Sequence, residues 1–180
     1  MAYQRMYHLM ADALATDMDV LELATGTGLI ALNIANSVRS VTATDYSPGM
    51  IETARKKAAP ANVTFSVEDA TSLSFPDASF DSAIISNALH IMPEPALALF
   101  EIRRVLKPGG LLIAPNFTHG HIRGESRFNA LILKLIGFET YSKWTPEEYV
   151  AFVADNGFVV DSWQVMRAAF PLVYLEAHPA

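Results

Sequence analysis

The sequence predicts an α/β fold: a doubly wound, mostly parallel seven-stranded sheet that ends in an antiparallel hairpin, with helices on both faces. Three observations point there. Short apolar or β-branched runs alternate with segments of helical periodicity from Val20 to Ala114. Each crossover is long enough to hold a helix, which sets successive strands parallel. The last two strand-like runs, Phe158 to Met166 and Pro171 to Ala177, are joined by too little chain for a helix and must pair antiparallel.

The elements follow in order. Val20–Ala24, Val41–Thr44, Val63–Val67, Ala83–Ser86 and Leu111–Ala114 read as the parallel strands. Ser47-Pro48 offers an N-cap with proline at the first helical position, and Lys56-Lys57 suits the far end of that helix. Pro93 opens a helix through Leu97, Phe100 and Val105, whose C-terminus carries Arg103, Arg104 and Lys107 before a turn at Lys107-Pro108-Gly109-Gly110. Thr145-Pro146-Glu147-Glu148 is a capping box that starts a helix through Tyr149, Phe152 and Val153, stopping at Gly157. Residues 117–143 fit neither pattern and read as an inserted cap region, with an apolar helix over residues 127–136.

Composition narrows the function. The chain has 180 residues, 13 Lys+Arg against 19 Asp+Glu, a formal charge of -6 and no cysteine. That is one domain, residues 1–180, with a core large enough to need no disulfide. Disulfides, thiolate–zinc sites and thiol nucleophiles are excluded. The acidic balance argues against nucleic acid, whose binding draws on Lys and Arg, and favours a small-molecule partner. No apolar run approaches the ~20 residues that span a bilayer, and MAYQRMYHLM lacks a signal-peptide core, so a cytoplasmic protein is expected.

The first strand carries the chemistry. Leu21 to Gly28 runs straight into the helical Leu29-Ile30-Ala31-Leu32, which sets Gly26 and Gly28 at a strand-to-helix turn where a ligand can approach the backbone. Asp45 lies 19 residues beyond Gly26 at the end of the second strand, where a carboxylate can accept both hydroxyls of a ribose. Asp69 closes the third strand and Ser86 the fourth. Because parallel strands end on one edge, Glu22, Gly26, Asp45, Asp69 and Ser86 are expected to gather at one crevice. Taken singly the acids are ordinary loop residues, and only their registry with strand ends argues otherwise.

From Val20 onward the chain resembles the class I S-adenosylmethionine-dependent methyltransferases, of the branch that modifies small molecules such as quinone precursors and lipid head groups. The resemblance rests on the glycine-rich stretch Val20 to Gly28, on Asp45, on Asp69-Ala70, on Ser86-Asn87-Ala88-Leu89-His90 and on Leu106-Lys107-Pro108-Gly109-Gly110. It implies a Rossmann-like sheet, S-adenosyl-L-methionine as cofactor and methyl transfer as activity. It further implies that Glu22 orders the turn and the cofactor's ammonium, that Gly26 and Gly28 face the methionine portion with backbone N–H groups, with Ala24 in the same cofactor-binding stretch, and that Asp45 holds the ribose. Tyr46 is then set against the adenine face, with Asp69 and the Ala70 N–H on the ring and Ser86 beside it. Two departures are Ala24, where the family has glycine, and about nineteen residues before the motif, which makes a short lid the expectation.

Catalytic residues are less legible. His90 near the active edge reads first as a wall residue, and Ser86-Asn87 equally as a cap of the next turn. Residues 1–16 suggest a lid helix. Tyr3 and Tyr7, with His8 beside them, share one helical region, while Met6, Leu9, Met10 and Leu14 pack it down. His119-Gly120-His121 with Glu125 is a thin metal motif, and no metal is expected. Phe128, Leu131, Ile132 and Leu135 form one stripe while Leu133 and Ile136 leave the other side apolar, so the 127–136 helix suggests an apolar acceptor pocket below and a homodimer or lipid contact above, with Tyr141 and Trp144 closing the pocket. Rival functions are a non-catalytic S-adenosylmethionine-binding subunit and a nicotinamide-dependent oxidoreductase. The latter gives no reason for Asp69-Ala70 or Lys107 to Gly110.

Overall fold

The computed structural model describes residues 2–119, 141–168 and 171–180. The helix expected over residues 127–136, the pair His121 and Glu125, and most of the 117–143 insertion lie outside them. Strands β1 (Asp19–Leu23), β2 (Ser40–Asp45), β3 (Val63–Val67), β4 (Phe80–Ile85) and β5 (Leu106–Ile113) are parallel, in the order β3-β2-β1-β4-β5. β6 (Asn116–Phe117), β7 (Phe158–Arg167) and β8 (Pro171–Pro179) complete the sheet, and β8 runs antiparallel to β5, β6 and β7.

Among the described residues the sheet therefore has eight strands rather than the expected seven. The extra one is the two-residue β6, which follows β5 along the same edge of β8: Ile113 pairs with Glu176, and Phe117 with Leu172. The break between them is Ala114-Pro115, since proline has no N–H to offer the ladder. Lys107 to Gly110 is also not a turn before the strand. It is a bulge inside β5, where pairing with β4 passes from Phe80–Leu106 to Ser82–Leu111 and Lys107 Nζ bonds Asp81 Oδ1 at 2.7 Å.

Helices α1 (Ala2–Ala13), α2 (Leu29–Ile34), α3 (Pro48–Arg55), α4 (Pro95–Val105) and α5 (Pro146–Asp155) wrap the sheet. End chemistry explains their bounds. Ser47 Oγ accepts from the Met50 amide, and Thr145 and Glu148 form both halves of the capping box. α4 starts at Pro95 rather than Pro93, because Pro95 takes the first helical position after Glu94. Successive strand residues point to opposite faces. Leu21, Ala83, Ile85, Leu112 and Leu175 join Leu99, Ile102 and Val153 in one core, whereas Val20, Ile84, Ile113 and Tyr174 join Met6, Met10, Ile30 and Ile34 in the other. At about 1.5 to 3 kcal/mol for each fully buried large aliphatic side chain, these two layers hold helices on both faces.

No helix among the described residues is long and apolar enough to cross a membrane. The strand order matters more for function. The chain moves outward from β1 to β2 and β3, then returns to place β4 on the other side of β1. Loops leaving β1 and β4 in opposite directions open a crevice at the C-terminal edge of the sheet, between the two halves.

Candidate active site

The crevice is a cavity of about 700 Å³, and it is built from strand ends. Ala24 and Gly26 come from the end of β1, Asp45, Tyr46 and Ser47 from β2, Glu68, Asp69 and Ala70 from β3, and Ser86, Asn87 and Ala88 from β4. Met50, Ile91 and Met92 add apolar surface. Seven sequence-derived positions, Ala24, Gly26, Asp45, Tyr46, Asp69, Ala70 and Ser86, thus meet at one site. Glu22 and Gly28 do not line it.

Asp45 organises the turn. Its Oδ2 accepts the Gly26 N–H at 2.8 Å and its Oδ1 the Ser47 N–H at 2.9 Å. The Gly28 N–H is taken by the Thr25 carbonyl at 3.0 Å. The expectation that the N–H groups of Gly26 and Gly28 face the ligand is therefore corrected: both close the loop itself, and what they free is the remaining lone pairs of Asp45. Gly28 serves packing. It sits at φ 80°, and a Cβ there would lie 2.7 Å from Phe65 Cε1. Ala24 adopts φ 53°, a left-handed conformation that costs an L-residue about 1 to 2 kcal/mol, at the position where glycine was expected.

Glu22 is 1% exposed, beneath the crevice rather than in it. Burial pushes its carboxyl up to about 7, against the pull of the Thr25 hydroxyl and the Ala31 amide, and the Asp45 charge adds to the rise. Neither Glu22 Oε2 nor Thr25 Oγ1 completes a hydrogen bond among the described residues, although the hydroxyl lies near enough to favour the carboxylate. The folded state therefore holds a proton on Glu22 between the ordinary value of 4.5 and about 7. Its contribution to stability is complete below 4.5, falls as pH rises through 7 and is constant above. Glu22→Gln is expected to flatten that slope and to stabilise the ligand-free protein at pH 8 by about 3 kcal/mol, read from urea unfolding at pH 5 and pH 8. A parallel pH dependence in the two proteins would refute it.

The remaining polar groups face the cavity differently. Asp69 Oδ1 takes the Thr71 N–H and hydroxyl, which hold its carboxyl below the usual range, and Oδ2 is left for a ligand. Tyr46 is 75% exposed and presents its ring at the cavity. Ser86 caps nothing: the 3-10 turn Leu89–Ile91 that follows begins at Ala88 without a side-chain cap. Asn87, read from sequence with Ser86 as a cap of the next turn or a ligand contact, is at φ 53° with its Oδ1 buried and unpartnered among the described residues. Glu68, Met92 and Glu94 were not expected from the sequence: the place of Glu68 just before Asp69 could have pointed to it, whereas Met92 and Glu94 depend on the 3-10 turn, which leaves no periodic trace.

The three catalytic candidates do not line the crevice. His8 is exposed on α1, and Tyr7 is half-buried, with its hydroxyl pushed up by burial and then by the charges of Tyr3 and Glu22. His90 is buried in the 3-10 turn between the lining residues Ala88 and Ile91. No group of metal-ligating side chains occurs among the described residues.

Charge defines the ligand. Asp45, Glu68, Asp69 and Glu94 line the cavity, and among the described residues no Lys, Arg or His does. Carboxylates on a wall attract the opposite charge, so the fold and site define an α/β protein whose crevice at the strand ends is suited to a cationic ligand. Comparison with known proteins narrows this. A family model described as a methyltransferase domain matches residues 21–114, and the chain belongs to that family. A demethylmenaquinone methyltransferase of Clavibacter sepedonicus is 36% identical over 153 residues, 84% of this chain and 59% of that protein. The ubiquinone/menaquinone biosynthesis C-methyltransferase UbiE of Geobacter sulfurreducens is 30% identical over 155 residues, 77% of this chain and 60% of that protein. The chain thus spans about three fifths of the length of these relatives. A solved SAM-dependent methyltransferase from Methanosarcina mazei shares the fold, with TM-score 0.79 at 24% identity, over 95% of this chain and 96% of that one.

Family membership implies S-adenosyl-L-methionine as cofactor, and the residues present fit it. The sulfonium and ammonium are cations for an acidic wall, and the ribose hydroxyls suit the free lone pairs of Asp45. Gly26 has open space where a Cβ would project, with no atom within 4 Å.

Proposed function

We propose that this chain is an S-adenosylmethionine-dependent methyltransferase that methylates a small, apolar acceptor of the quinone type in its reduced form. The observation that carries the donor half is the crevice at the point where the strand order reverses, lined by four carboxylates and, among the described residues, by no cationic side chain. The names of the relatives support the acceptor half. When bound, S-adenosylmethionine supplies a methyl group on a positively charged sulfur, and the rest is alignment, which can be worth effective molarities of about 10⁵ to 10⁸ M. Asp45 and Tyr46 fix the nucleoside, Asp69 and Ala70 the base, and Met50, Ile91 and Met92 exclude water around the transferred group.

A dinucleotide is disfavoured by the same wall. Its pyrophosphate would meet four carboxylates, and the Gly28 N–H that could receive it is already bonded to Thr25. The proposal takes residues 1–180 as one methyltransferase domain in the cytoplasm, with residues 1–16 as a cover and 117–143 as a cap. A homodimer or a lipid contact through residues 127–136 belongs to the same proposal, with no nucleic-acid partner. Calorimetry with S-adenosylmethionine and NADH, followed by transfer of labelled methyl to a short-chain prenyl naphthohydroquinone, tests it. Heat with the sulfonium donor alone and label in the hydroquinone are expected. Binding of NADH instead sinks the donor half, donor binding without any transfer favours a non-catalytic subunit, and turnover only on highly charged acceptors sinks the apolar acceptor.

A further inference from the structure

Across β4 from the ribose side of the crevice lies a second polar arrangement. His90 sits in the 3-10 turn after β4, and its carbonyl accepts the N–H groups of Tyr141 and Ser142 at 3.0 and 3.1 Å. Its Nδ1 lies 2.9 Å from Asn116 Oδ1, a buried contact with the strand that continues β5. The Asn116 amide is oriented without ambiguity. Its Nδ2 donates to the Phe117 carbonyl at 3.0 Å, so its oxygen faces the imidazole, and an oxygen can only accept. Nδ1 must therefore carry the proton, which leaves the lone pair of a neutral His90 on Nε2.

We propose that His90 is the base that takes the acceptor's proton, and that Asn116 is its positioning residue, holding the imidazole in the tautomer with Nε2 free. This deepens the methyltransferase reading above and rests on it. Nε2 bonds no described residue, and the imidazole is further set by the Phe117 ring, edge-on at 6.2 Å. Burial holds the imidazole below its usual value, the hydrogen bond to Asn116 opposes that, and His119 lowers it again. Among the described residues His119 is the titratable group that faces it, from the segment after β6. A neutral amide in place of a carboxylate gives the imidazolium no counter-charge, so the base stays unprotonated near pH 7 and suits an acceptor hydroxyl that is only weakly acidic.

The step balances. His90 Nε2 takes the proton of the acceptor hydroxyl. The electron pair released through the ring forms a bond from the carbon beside that hydroxyl to the methyl carbon, while the carbon–sulfur bond breaks and sulfur keeps its pair. The ring carbon then loses its own proton, the oxygen regains one, and the positive charge that began on sulfur leaves as one proton on His90.

Two measurements test this. In ¹⁵N-correlated NMR at pH 8 the wild-type His90 is expected to show a protonated Nδ1 and a bare Nε2, a state that N116A loses; a protonated Nε2 in the wild type overturns the proposal. In single turnover with the naphthohydroquinone, H90Q is expected to slow methyl transfer about 100-fold. N116D, which adds a counter-charge, is expected to move the acidic limb of the pH–rate profile upward. S-adenosylhomocysteine should bind all three variants within about twofold of wild type, because none of these residues lines the donor crevice. An unchanged rate in H90Q, or an unmoved limb in N116D, overturns the base assignment. Wild-type protein that fails to bind the donor overturns the methyltransferase reading instead, and the NMR arm still decides the tautomer.

Discussion

Asp45→Ala is expected to weaken binding of S-adenosylhomocysteine by about 10- to 100-fold, the equivalent of the 1.5 to 3 kcal/mol typical of hydrogen bonds to a charged group. Two losses combine. The ribose loses its acceptor, and the amides of Gly26 and Ser47, now bonded to the two carboxylate oxygens, lose theirs. The second loss also lowers stability, by about 1 to 3 kcal/mol, because part-buried N–H groups are left without partners. Calorimetry and urea unfolding on the same preparation separate the two. Affinity equal to wild type would remove Asp45 from the site, whatever happens to stability.

The largest stability effect is expected at Gly28. Gly28→Ala puts an L-residue at φ 80°, which costs about 1 to 2 kcal/mol, and drives a methyl to within 2.7 and 2.9 Å of the Phe65 ring, which adds about 1 to 3 kcal/mol. Gly26→Ala is the control. Its φ of 58° carries a similar backbone cost, but its methyl meets no protein atom within 4 Å and enters the crevice instead. The expected pattern is a crossing: Gly28→Ala lowers the urea midpoint more, whereas Gly26→Ala lowers donor affinity more. Equal midpoints for the two variants would mean that Phe65 yields, and that Gly28 is kept for its backbone alone.

That crossing marks where sequence reading stops. The spacing of Gly26 and Gly28 identifies a strand-to-helix turn but does not tell them apart, because the difference is which one faces Phe65, 37 residues further on. Asp45 and Asp69 were legible because strand ends of a parallel sheet share an edge. Seven strands were legible and the eighth was not, since a two-residue strand has no period, and β6 exists only because β8 is there to pair with it. Lys107 to Gly110 reads as a turn for its Pro and Gly, and becomes a bulge because β4 continues alongside it. His90 reads as a wall residue in sequence, and its buried contact with Asn116, 26 positions away, appears only in the fold.

The sequence by itself determined the alternation of strands and helices, the parallel sheet and its closing hairpin, and the set of acids and glycines at one edge. Each of these follows from local periodicity, cap chemistry and crossover length, which are properties of neighbouring residues. Only the tertiary structure decided that Glu22 is buried without a full set of partners among the described residues, that the loop amides are spent on Asp45 and Thr25, and that four carboxylates share one crevice wall. Those depend on burial and on contacts between distant segments, where desolvation and the direction of a single N–H outweigh any local preference.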